Sequence, residues 1–399
     1  MGYEIYLDNA ATTQATPAVC EAVQEALSTV YGNPSSLHAM GLAAEETVRK
    51  ARRTLGAYLG VPDKSLVFTS GGTESVNLAI QGVAQSYQRR GKHMIISAIE
   101  HAAVLATCEM LERQGWRITR VGVDQHGLVL PEAIAEATCT ETVLVSVMTV
   151  NNEVGSVQPI AEIVRAVRTR HPQCLIHTDA VQALGKIDVN PAAWGVDLLS
   201  LSAHKIHGPK GCGALWLREG VRLQPLLLGG GQERGLRSGT ENVPGIAGFG
   251  AAVEQLATGG TAAMRRMAHL RQRLIECLSE ALPEAVINGP PPEHTAPHIC
   301  SVAIPGMQAE VMARALAQEG VFVSTGAACS SRRSGRTGTH VLEAMGVADT
   351  VRSASLRFGL SSMTTAEEIE TAVSKLCRVL ECLRSGKNVG GRSSQEDWT

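Results

Sequence analysis

The sequence predicts an α/β fold in which a mostly parallel sheet is flanked by helices. Between about residues 60 and 217, short β-rich runs alternate with stretches whose apolar residues recur at three- and four-residue spacing. Such alternation is typical of βαβ units. A chain of 399 residues with 44% apolar residues is also long enough for one large domain and a smaller one.

Six strands are predicted in the large domain, each a short apolar run bounded by polar or turn-forming residues. They cover residues 65–70, 93–98, 142–150, 174–179, 196–202 and 212–217. The intervening stretches 74–90 and 160–170 predict amphipathic helices, because their apolar residues fall on one helical face.

A second domain is predicted after about residue 257, where the pattern changes. A long helix over 261–282 and a proline-rich break at 290–297 come first. The last helix is predicted to begin at a capping signal that joins Thr364 to Glu367. Between them lie a strand over 298–305, a helix over 308–319, and strands over 321–326 and 353–361.

Charge and composition narrow the possible functions. A net charge of -2 and a pI near 6.6 provide no basic field for a polyanion, which argues against a direct nucleic-acid substrate. The N-terminus lacks a secretory signal and no apolar run reaches membrane-spanning length, which predicts a soluble, cytoplasmic protein with no membrane partner. The 10 cysteines include no C-x-x-C pair, which indicates reduced thiols instead of a disulfide frame or a zinc site.

Polar residues suited to catalysis follow the predicted strands. In an open α/β sheet the ligand crevice lies at the carboxyl ends of the strands. We therefore expect one site at this edge, formed by Thr73, His101, Asn152, Asp179, Gln182, Ser202, His204 and Lys205.

Two segments at this edge suit a phosphate and an aldehyde. Residues 70–75 (SGGTES) open a helix, so their N–H groups and the helix dipole can bind phosphate; a plain connecting turn is the alternative. Lys205 leaves a buried strand among hydroxyl and imidazole groups, which suits a Schiff base; a solvent-facing turn lysine is the alternative. His204 and His207 have no third metal ligand at a matching spacing.

Asp179 and His101 each allow more than one interpretation. A carboxylate at the end of a buried strand needs a cationic partner, which a protonated pyridine nitrogen supplies. Asp179 alternatively caps the next helix or forms half of a metal site with His177. His101 is either structural or stacks on a cofactor ring and moves protons near neutral pH.

Further motifs occur in order along nearly the whole chain. They are YLDNAATT (6–13), GNPSSLH (32–38), FTSGGTES (68–75), NNEVG (151–155), the Asp179 and Lys205 segments, RSGTEN (237–242), STGAACS (324–330) and LRFGL (356–360). Together they resemble the cysteine desulfurases of the NifS/IscS type, within the class V branch of fold-type I PLP-dependent enzymes.

The resemblance implies a fold-type I PLP-transferase with a large, mostly parallel-sheet domain and a smaller α+β domain. On this basis we divide the chain into four parts. These are residues 1–15 as an N-terminal segment of the small domain, 16–256 as the large PLP-binding domain, 257–386 as the small domain carrying the cysteine loop, and 387–399 as a mobile tail.

The resemblance also implies the cofactor, pyridoxal 5'-phosphate (PLP), and the residues that hold it. Lys205 would bind PLP as a Schiff base, Asp179 would pair with the ring nitrogen and Gln182 would contact the ring oxygen. The remaining cofactor contacts implied are His101 stacked on the ring, Asn152 beside it, and Gly72, Thr73, Ser202 and His204 around the phosphate, with Thr240 from the other subunit of a homodimer.

The substrate implied is L-cysteine, whose carboxylate Asn152 and Arg357 would hold; a structural salt bridge is the alternative for Arg357. Cys329 would take the substrate sulfur as a persulfide and alanine would be released. The sulfur would pass to an acceptor protein for iron–sulfur cluster, thio-cofactor or nucleic-acid sulfur biosynthesis. The one metal role implied is transient iron–sulfur ligation through Cys329.

The sequence departs from the family pattern around this cysteine. The loop 330–339, predicted to be mobile, is slightly longer than in long-loop members and carries Arg332, Arg333 and Arg336. The tail also differs from the scaffold-binding C-terminus of housekeeping members. Both differences leave the acceptor open.

Two rival functions remain at this point. A selenocysteine lyase, or another PLP-dependent lyase or transaminase of the same fold, would be favoured if alanine formation survived Cys329→Ala. A non-catalytic sulfur or iron carrier would leave Lys205, Asp179 and Arg357 without a role, and such a protein would not absorb visible light.

Overall fold

The computed structural model describes residues 4–325 and 340–385. Cys329, the predicted mobile loop 330–339 and the predicted tail 387–399 lie outside the described residues.

A seven-stranded sheet forms the centre of the larger part of the chain. Its strands run in the order β2-β8-β7-β6-β5-β3-β4, and β8 is antiparallel to both of its neighbours while the other adjacent pairs are parallel. Their bounds are β2 Leu66–Thr69, β3 His93–Ser97, β4 Arg117–Val121, β5 Thr142–Ser146, β6 Leu175–Asp179, β7 Leu198–Ser202 and β8 Gly213–Leu217. The mostly parallel α/β sheet predicted from the sequence is confirmed.

The sequence-based prediction missed β4, the edge strand. Of its residues, RITRV, two are exposed, two are partly buried and only Val121 is buried. Because two of its five residues are arginines, the strand lacks the apolar run that marks the other six. Charged side chains on an edge strand also discourage pairing with another chain.

Helices cover both faces of this sheet. They are α1 Pro17–Ser28, α2 Ala39–Leu59, α3 Gly72–Tyr87, α4 Ala102–Arg113, α5 Pro131–Ala137, α6 Ile160–Arg170 and α7 Pro191–Trp194. Alternate strand residues face opposite cores: Phe68 and Ile95 belong to one apolar cluster, and Val67 and Ile96 to another. The six strands other than β4 are therefore buried on both faces, as expected for parallel sheets.

One long helix, α8 (Val243–Ala281), connects the two halves of the chain. The sequence predicted its start at residue 261, and this prediction is wrong by 18 residues because the preceding glycines resemble a loop. They instead permit close packing: a Cβ at Gly248 would lie 2.7 Å from Val23, and a Cβ at Gly250 would lie 2.9 Å from Ala51. The predicted domain boundary at residue 256 falls inside this helix, and the domain bounds stay a prediction.

A smaller sheet, in the order β12-β10-β9, is antiparallel. Its strands are β9 Val286–Asn288, β10 Ile299–Ala303 and β12 Ser355–Gly359. The N-terminal strand β1 (Ile5–Tyr6) pairs with β11 (Val321–Phe322) in parallel. The helices here are α9 Ala309–Gln318, α10 His340–Ala344, α11 Asp349–Arg352 and α12 Ala366–Arg384. Helices α9 and α12 pack with these strands around a separate apolar core, whereas Val341 and Leu342 of α10 join a small cluster with Ile99 and Val154.

The cap of α12 differs from the prediction by one residue. Thr365, and not Thr364, is the N-cap, and its reciprocal partner is Glu368, not Glu367. Thr364 is already engaged, because its hydroxyl accepts a hydrogen bond from the Ser361 N–H group at 3.0 Å.

Two further sequence-level expectations concern thiols and membranes. The nine cysteines in the described part of the chain all carry free thiols. Among the described helices, none is both long enough and apolar enough to span a bilayer.

Candidate active site

The carboxyl ends of five strands meet along one edge of the large sheet. Thr69 at the end of β2 pairs with Gly213, which in turn pairs with Ser202 at the end of β7. The β6 strand ends beside β7 in parallel, so Asp179 lies opposite Ser200. The ends of β3 and β5 follow in the same direction. This edge is where the sequence placed the site.

The turn from β2 into α3 brings free hydrogen-bond donors to this edge. The helix has no side-chain N-cap, because its N-cap residue is Gly71. Among the described residues, no acceptor is found for the backbone N–H groups of Gly72 and Thr73. The turn packs tightly on its surroundings, since a Cβ at Gly72 would lie 2.6 Å from Val181 and 3.7 Å from the Ser202 Cβ.

Two side chains complete this cluster of donors. Ser202 is 2% exposed and follows directly from the buried strand β7. His204 uses Nδ1 to contact the Thr12 hydroxyl at 3.2 Å, which leaves Nε2 available. Burial lowers the pKa of His204 to about 4, assisted by Lys205 and Lys210, so the ring is neutral at physiological pH.

Lys205 ends a short 3₁₀ turn, Ala203–Lys205, directly after β7. Its Nζ donates to the backbone carbonyls of Ala10 and Ala11, at 2.6 and 2.7 Å. The side chain is half-buried and points to the N-terminal segment of the chain, not to solvent. Lys205 is therefore not the solvent-facing turn lysine that was considered as an alternative.

Asp179 and His101 lie close enough to influence each other's charge. Burial raises the pKa of Asp179, while His101, the Val181 N–H group and Lys205 oppose that effect. Burial lowers the pKa of His101, and Lys205 and His340 act in the same direction while Asp179 opposes them. Asp179 is 4% exposed and forms no ion pair within the described residues.

Both of these residues also cap a following segment. The His101 Nδ1 atom accepts from the Ala103 N–H group at 3.1 Å, at the N-cap of α4. One Asp179 oxygen accepts from the Val181 N–H group at 3.0 Å. The helix cap weighed for Asp179 from the sequence is not formed, because residues 181–186 are turns and the next helix, α7, begins at Pro191; the second carboxylate oxygen of Asp179 remains available.

Gln182 joins the same cluster from the turn after β6. Its Nε2 donates to the Ala10 carbonyl at 2.9 Å, the carbonyl that also accepts from Lys205. Its Oε1 lies 3.0 Å from Nε2 of His298. The sequence had not singled out His298, which is fully buried.

Arg357 lies on β12 of the smaller sheet and reaches across to this edge. Its Nη1 donates to the Asn152 carbonyl at 2.8 Å, and its Nη2 pairs with Asp8 at 2.8 Å. The Nε atom is buried and has no hydrogen-bond partner in the described residues. The salt bridge considered as an alternative role for Arg357 is therefore present, and one donor remains unused.

Three further residues that sequence reasoning missed lie beside the predicted ones. Glu100 precedes His101 and is fully buried. His340 donates from Nε2 to the Glu100 carbonyl at 3.0 Å. Asp8 faces Arg357. Asp8 lies in the YLDNAATT motif and Glu100 directly precedes His101. Their contacts join distant parts of the chain, so no local sequence pattern indicates them.

Two predicted site residues are not brought to this cluster. Thr240 is exposed, in the loop between β8 and α8. Cys329 lies outside the described residues. The segment that contains it is bounded by residues at the site: Ser324 exchanges two backbone hydrogen bonds with Arg357, and His340 contacts Glu100.

The chemistry of these groups fits PLP. Free N–H groups and hydroxyls at a helix N-terminus suit a phosphate. A buried carboxylate without an ion pair suits the protonated pyridine nitrogen, because a buried charge needs a counter-charge. A lysine amine within the same cluster can reach an aldehyde. The residues present are therefore compatible with each part of the cofactor.

Comparison with known proteins identifies the family. The aminotransferase class-V family matches residues 5–371. A cysteine desulfurase IscS of Methanosarcina thermophila is 41% identical over 381 residues, which cover 96% of this chain and 93% of that protein. The chain belongs to the cysteine desulfurases of the class-V aminotransferase family. Enzymes of this family are PLP-dependent in general.

Solved structures of this family share the fold. A NifS-like protein has 37% sequence identity and a TM-score of 0.89, covering 95% of this chain and all of that chain. SspA in complex with cysteine has 33% identity and a TM-score of 0.78, covering 90% of this chain and all of that chain. The family and fold class expected from the sequence motifs are confirmed.

Proposed function

We propose that this cysteine desulfurase binds PLP at Lys205, takes sulfur from L-cysteine onto Cys329 and releases alanine. The observation that carries the proposal is the meeting of Lys205, Asp179 and Arg357 at one sheet edge, in a chain 41% identical to a cysteine desulfurase. The solved structure of SspA with cysteine supports the choice of substrate.

The cofactor, when bound, withdraws electrons from the substrate Cα, so that its proton can be removed. Gly72, Thr73, Ser202 and His204 would hold its phosphate, and His101 and Asn152 would line its ring. Asp179, with burial disfavouring its unpaired charge, would hold the ring-nitrogen proton. The Lys205 amine, which donates hydrogen bonds to two backbone carbonyls, would accept the substrate proton.

The substrate carboxylate would bind to Arg357 beside Asn152. A planar guanidinium offers parallel donors that match a carboxylate. In the structure one of those donors is occupied by Asp8 and another by a backbone carbonyl, while Nε is unused. The substrate would therefore add to, or replace part of, the Asp8 contact.

Cys329 would then attack the substrate sulfur as a thiolate. A sulfur–sulfur bond forms, the carbon–sulfur bond breaks, and its electron pair remains with the substrate carbon, which is later protonated to give alanine. The anchoring of Ser324 beside Arg357 and of His340 beside Glu100 supports this role, because both neighbours of the segment are held at the site.

The partners extend the same proposal. A homodimer would bring the exposed Thr240 to the phosphate of the other subunit. The persulfide would pass to a protein acceptor, with any iron–sulfur ligation occurring only transiently through Cys329. The cytoplasmic location remains a prediction.

The test combines spectroscopy with product analysis. The purified protein is expected to bind PLP with visible absorption and to form alanine and sulfide from L-cysteine with a thiol reductant. Lys205→Ala and Cys329→Ala should each abolish both products. Lys186→Met, at a second buried lysine, is the control and should retain visible absorption.

Two results would contradict the proposal. A wild-type protein that stays colourless with PLP would remove its basis. Alanine formation at the wild-type rate by Cys329→Ala would instead favour a selenocysteine lyase or another lyase of the same fold.

A further inference from the structure

A buried histidine contacts one of the residues expected to touch the cofactor. His298 directly precedes β10 and is 0% exposed. Its Nε2 lies 3.0 Å from Oε1 of Gln182, and its Nδ1 has no hydrogen-bond partner among the described residues. The contact joins the smaller sheet to the turn after β6, across 116 positions of the chain.

The hydrogen bonds fix which atom of Gln182 faces which neighbour. The Ala10 carbonyl can only accept, so the atom 2.9 Å away must be the Nε2 donor of Gln182. The opposite amide atom is therefore the oxygen, and His298 must donate to it from Nε2. Reversing the amide would place two acceptors against each other at Ala10 and two nitrogens against each other at His298.

The surroundings keep His298 in the single tautomer that this role needs. Burial lowers its pKa well below the usual value, and Lys186, Lys205 and Arg357 act in the same direction. The ring is therefore neutral, and the hydrogen bond to Oε1 of Gln182 places its one proton on Nε2 and leaves a bare lone pair on Nδ1. A neutral donor can orient an amide without bringing a further charge to the site.

We propose that His298 is a positioning residue that holds the Gln182 amide with its N–H donors, and not its carbonyl oxygen, directed to the cofactor ring oxygen. One N–H of Gln182 binds Ala10, and the second has no acceptor in the described residues. This inference rests on the proposed function, because it assigns His298 a role toward bound PLP.

The expected consequence concerns the charge of the ring oxygen. A donor at this position stabilises the deprotonated oxygen and lowers the pH at which the PLP chromophore loses its proton. Without His298, the Ala10 carbonyl alone holds the amide, and the second N–H of Gln182 is less firmly directed to the ring oxygen. The ionised ring oxygen would then lose part of the stabilisation that this donor provides, and deprotonation would require a higher pH.

The test is a pH titration of the visible spectrum of the PLP-loaded protein without L-cysteine. His298→Leu should raise the midpoint by about one pH unit, the size expected for one hydrogen bond to a charged atom. His298→Gln places an amide donor at the Nε2 position and should restore the wild-type midpoint. His298→Phe, which preserves more of the ring volume, should behave as the leucine variant does.

Another buried imidazole provides the matched control. His93, at the start of β3, is also 0% exposed and contacts the hydroxyls of Thr142 and Thr119. His93→Leu should leave the midpoint unchanged. In a Gln182→Leu background, His298→Leu should add no further shift, because its effect passes through the amide.

An unchanged midpoint in His298→Phe and His298→Leu would overturn the inference. An equal shift in His298→Gln or His93→Leu would do the same, since either would reflect general disturbance of the core. A colourless wild-type protein would instead overturn the proposed function, whereas a yellow, active wild type with unshifted variants would overturn this inference alone.

Discussion

Glu100 is a buried acid next to the catalytic cluster. One of its oxygens accepts from the Ser97 hydroxyl at 2.5 Å and from the Met148 N–H group at 2.8 Å, while the other has no partner in the described residues. Burial raises its pKa to about 8, and the charge of Asp179 acts in the same direction. At neutral pH Glu100 is therefore protonated.

Glu100→Gln is expected to change how stability depends on pH. The folded state retains the Glu100 proton up to about pH 8, while the unfolded chain releases it near the ordinary glutamate pKa of 4.5. Between these values the folded state binds more protons, so its stability falls as pH rises. In urea unfolding at pH 5 and pH 8, the wild type should lose more stability than Glu100→Gln. Equal losses would show that Glu100 is ionised in the fold.

Arg357→Lys is expected to weaken substrate binding more than turnover. The change keeps the charge but removes the planar set of donors. We expect the KM for L-cysteine to rise about 10-fold or more, with a smaller change in kcat. Steady-state kinetics and urea unfolding should be measured together. Reduced stability with an unchanged KM would assign Arg357 only the structural ion pair with Asp8.

At the scale of the secondary-structure elements, the glycines of α8 are expected to differ in their tolerance of alanine. A Cβ at Gly250 would lie 2.9 Å from the Ala51 Cβ, whereas a Cβ at Gly259 meets nothing within 4 Å. Gly259→Ala should stabilise the protein by up to about 1 kcal/mol. Gly250→Ala should destabilise it by about 1–3 kcal/mol through overpacking. Thermal unfolding of both variants measures these changes in stability. Equal changes in the two variants would contradict the packing described for α8.

The start of α12 offers a second comparison between neighbours. Glu368 accepts from the Thr365 N–H group at 2.8 Å and completes the capping box, while Glu367 takes no part in it. Glu368→Ala should therefore cost about 0.5–1 kcal/mol more than Glu367→Ala. Chemical unfolding of the two variants measures the difference. A larger cost at Glu367 would restore the cap predicted from the sequence.

For the molecule as a whole, the sequence predicted those features whose signals are local. Asp179 ends one buried strand and Lys205 follows another, and the rule that such strands end at one edge was enough to bring them together. The family motifs added the roles. The strand β4 was not predicted because its arginines interrupt the apolar pattern. The start of α8 was not predicted because glycines usually indicate loops.

The contacts that the sequence could not predict are those between distant segments. Asp8 and Arg357 are 349 positions apart, and the two partners lie on separate elements. The Gln182–His298 contact likewise depends on how the smaller sheet lies against the larger one. Such pairs are fixed by the packing of the whole fold, so neither the residue types nor their spacing in the sequence predicts them.

The most direct test of the account is mass spectrometry of the protein after exposure to L-cysteine without reductant. The peptide that contains Cys329 should become heavier by one sulfur atom. In a separate sample without L-cysteine, borohydride reduction should attach PLP to Lys205. The other nine cysteines and Lys186 serve as internal controls. Sulfur on a different cysteine, or PLP attached to a different lysine, would contradict the assignment of this site.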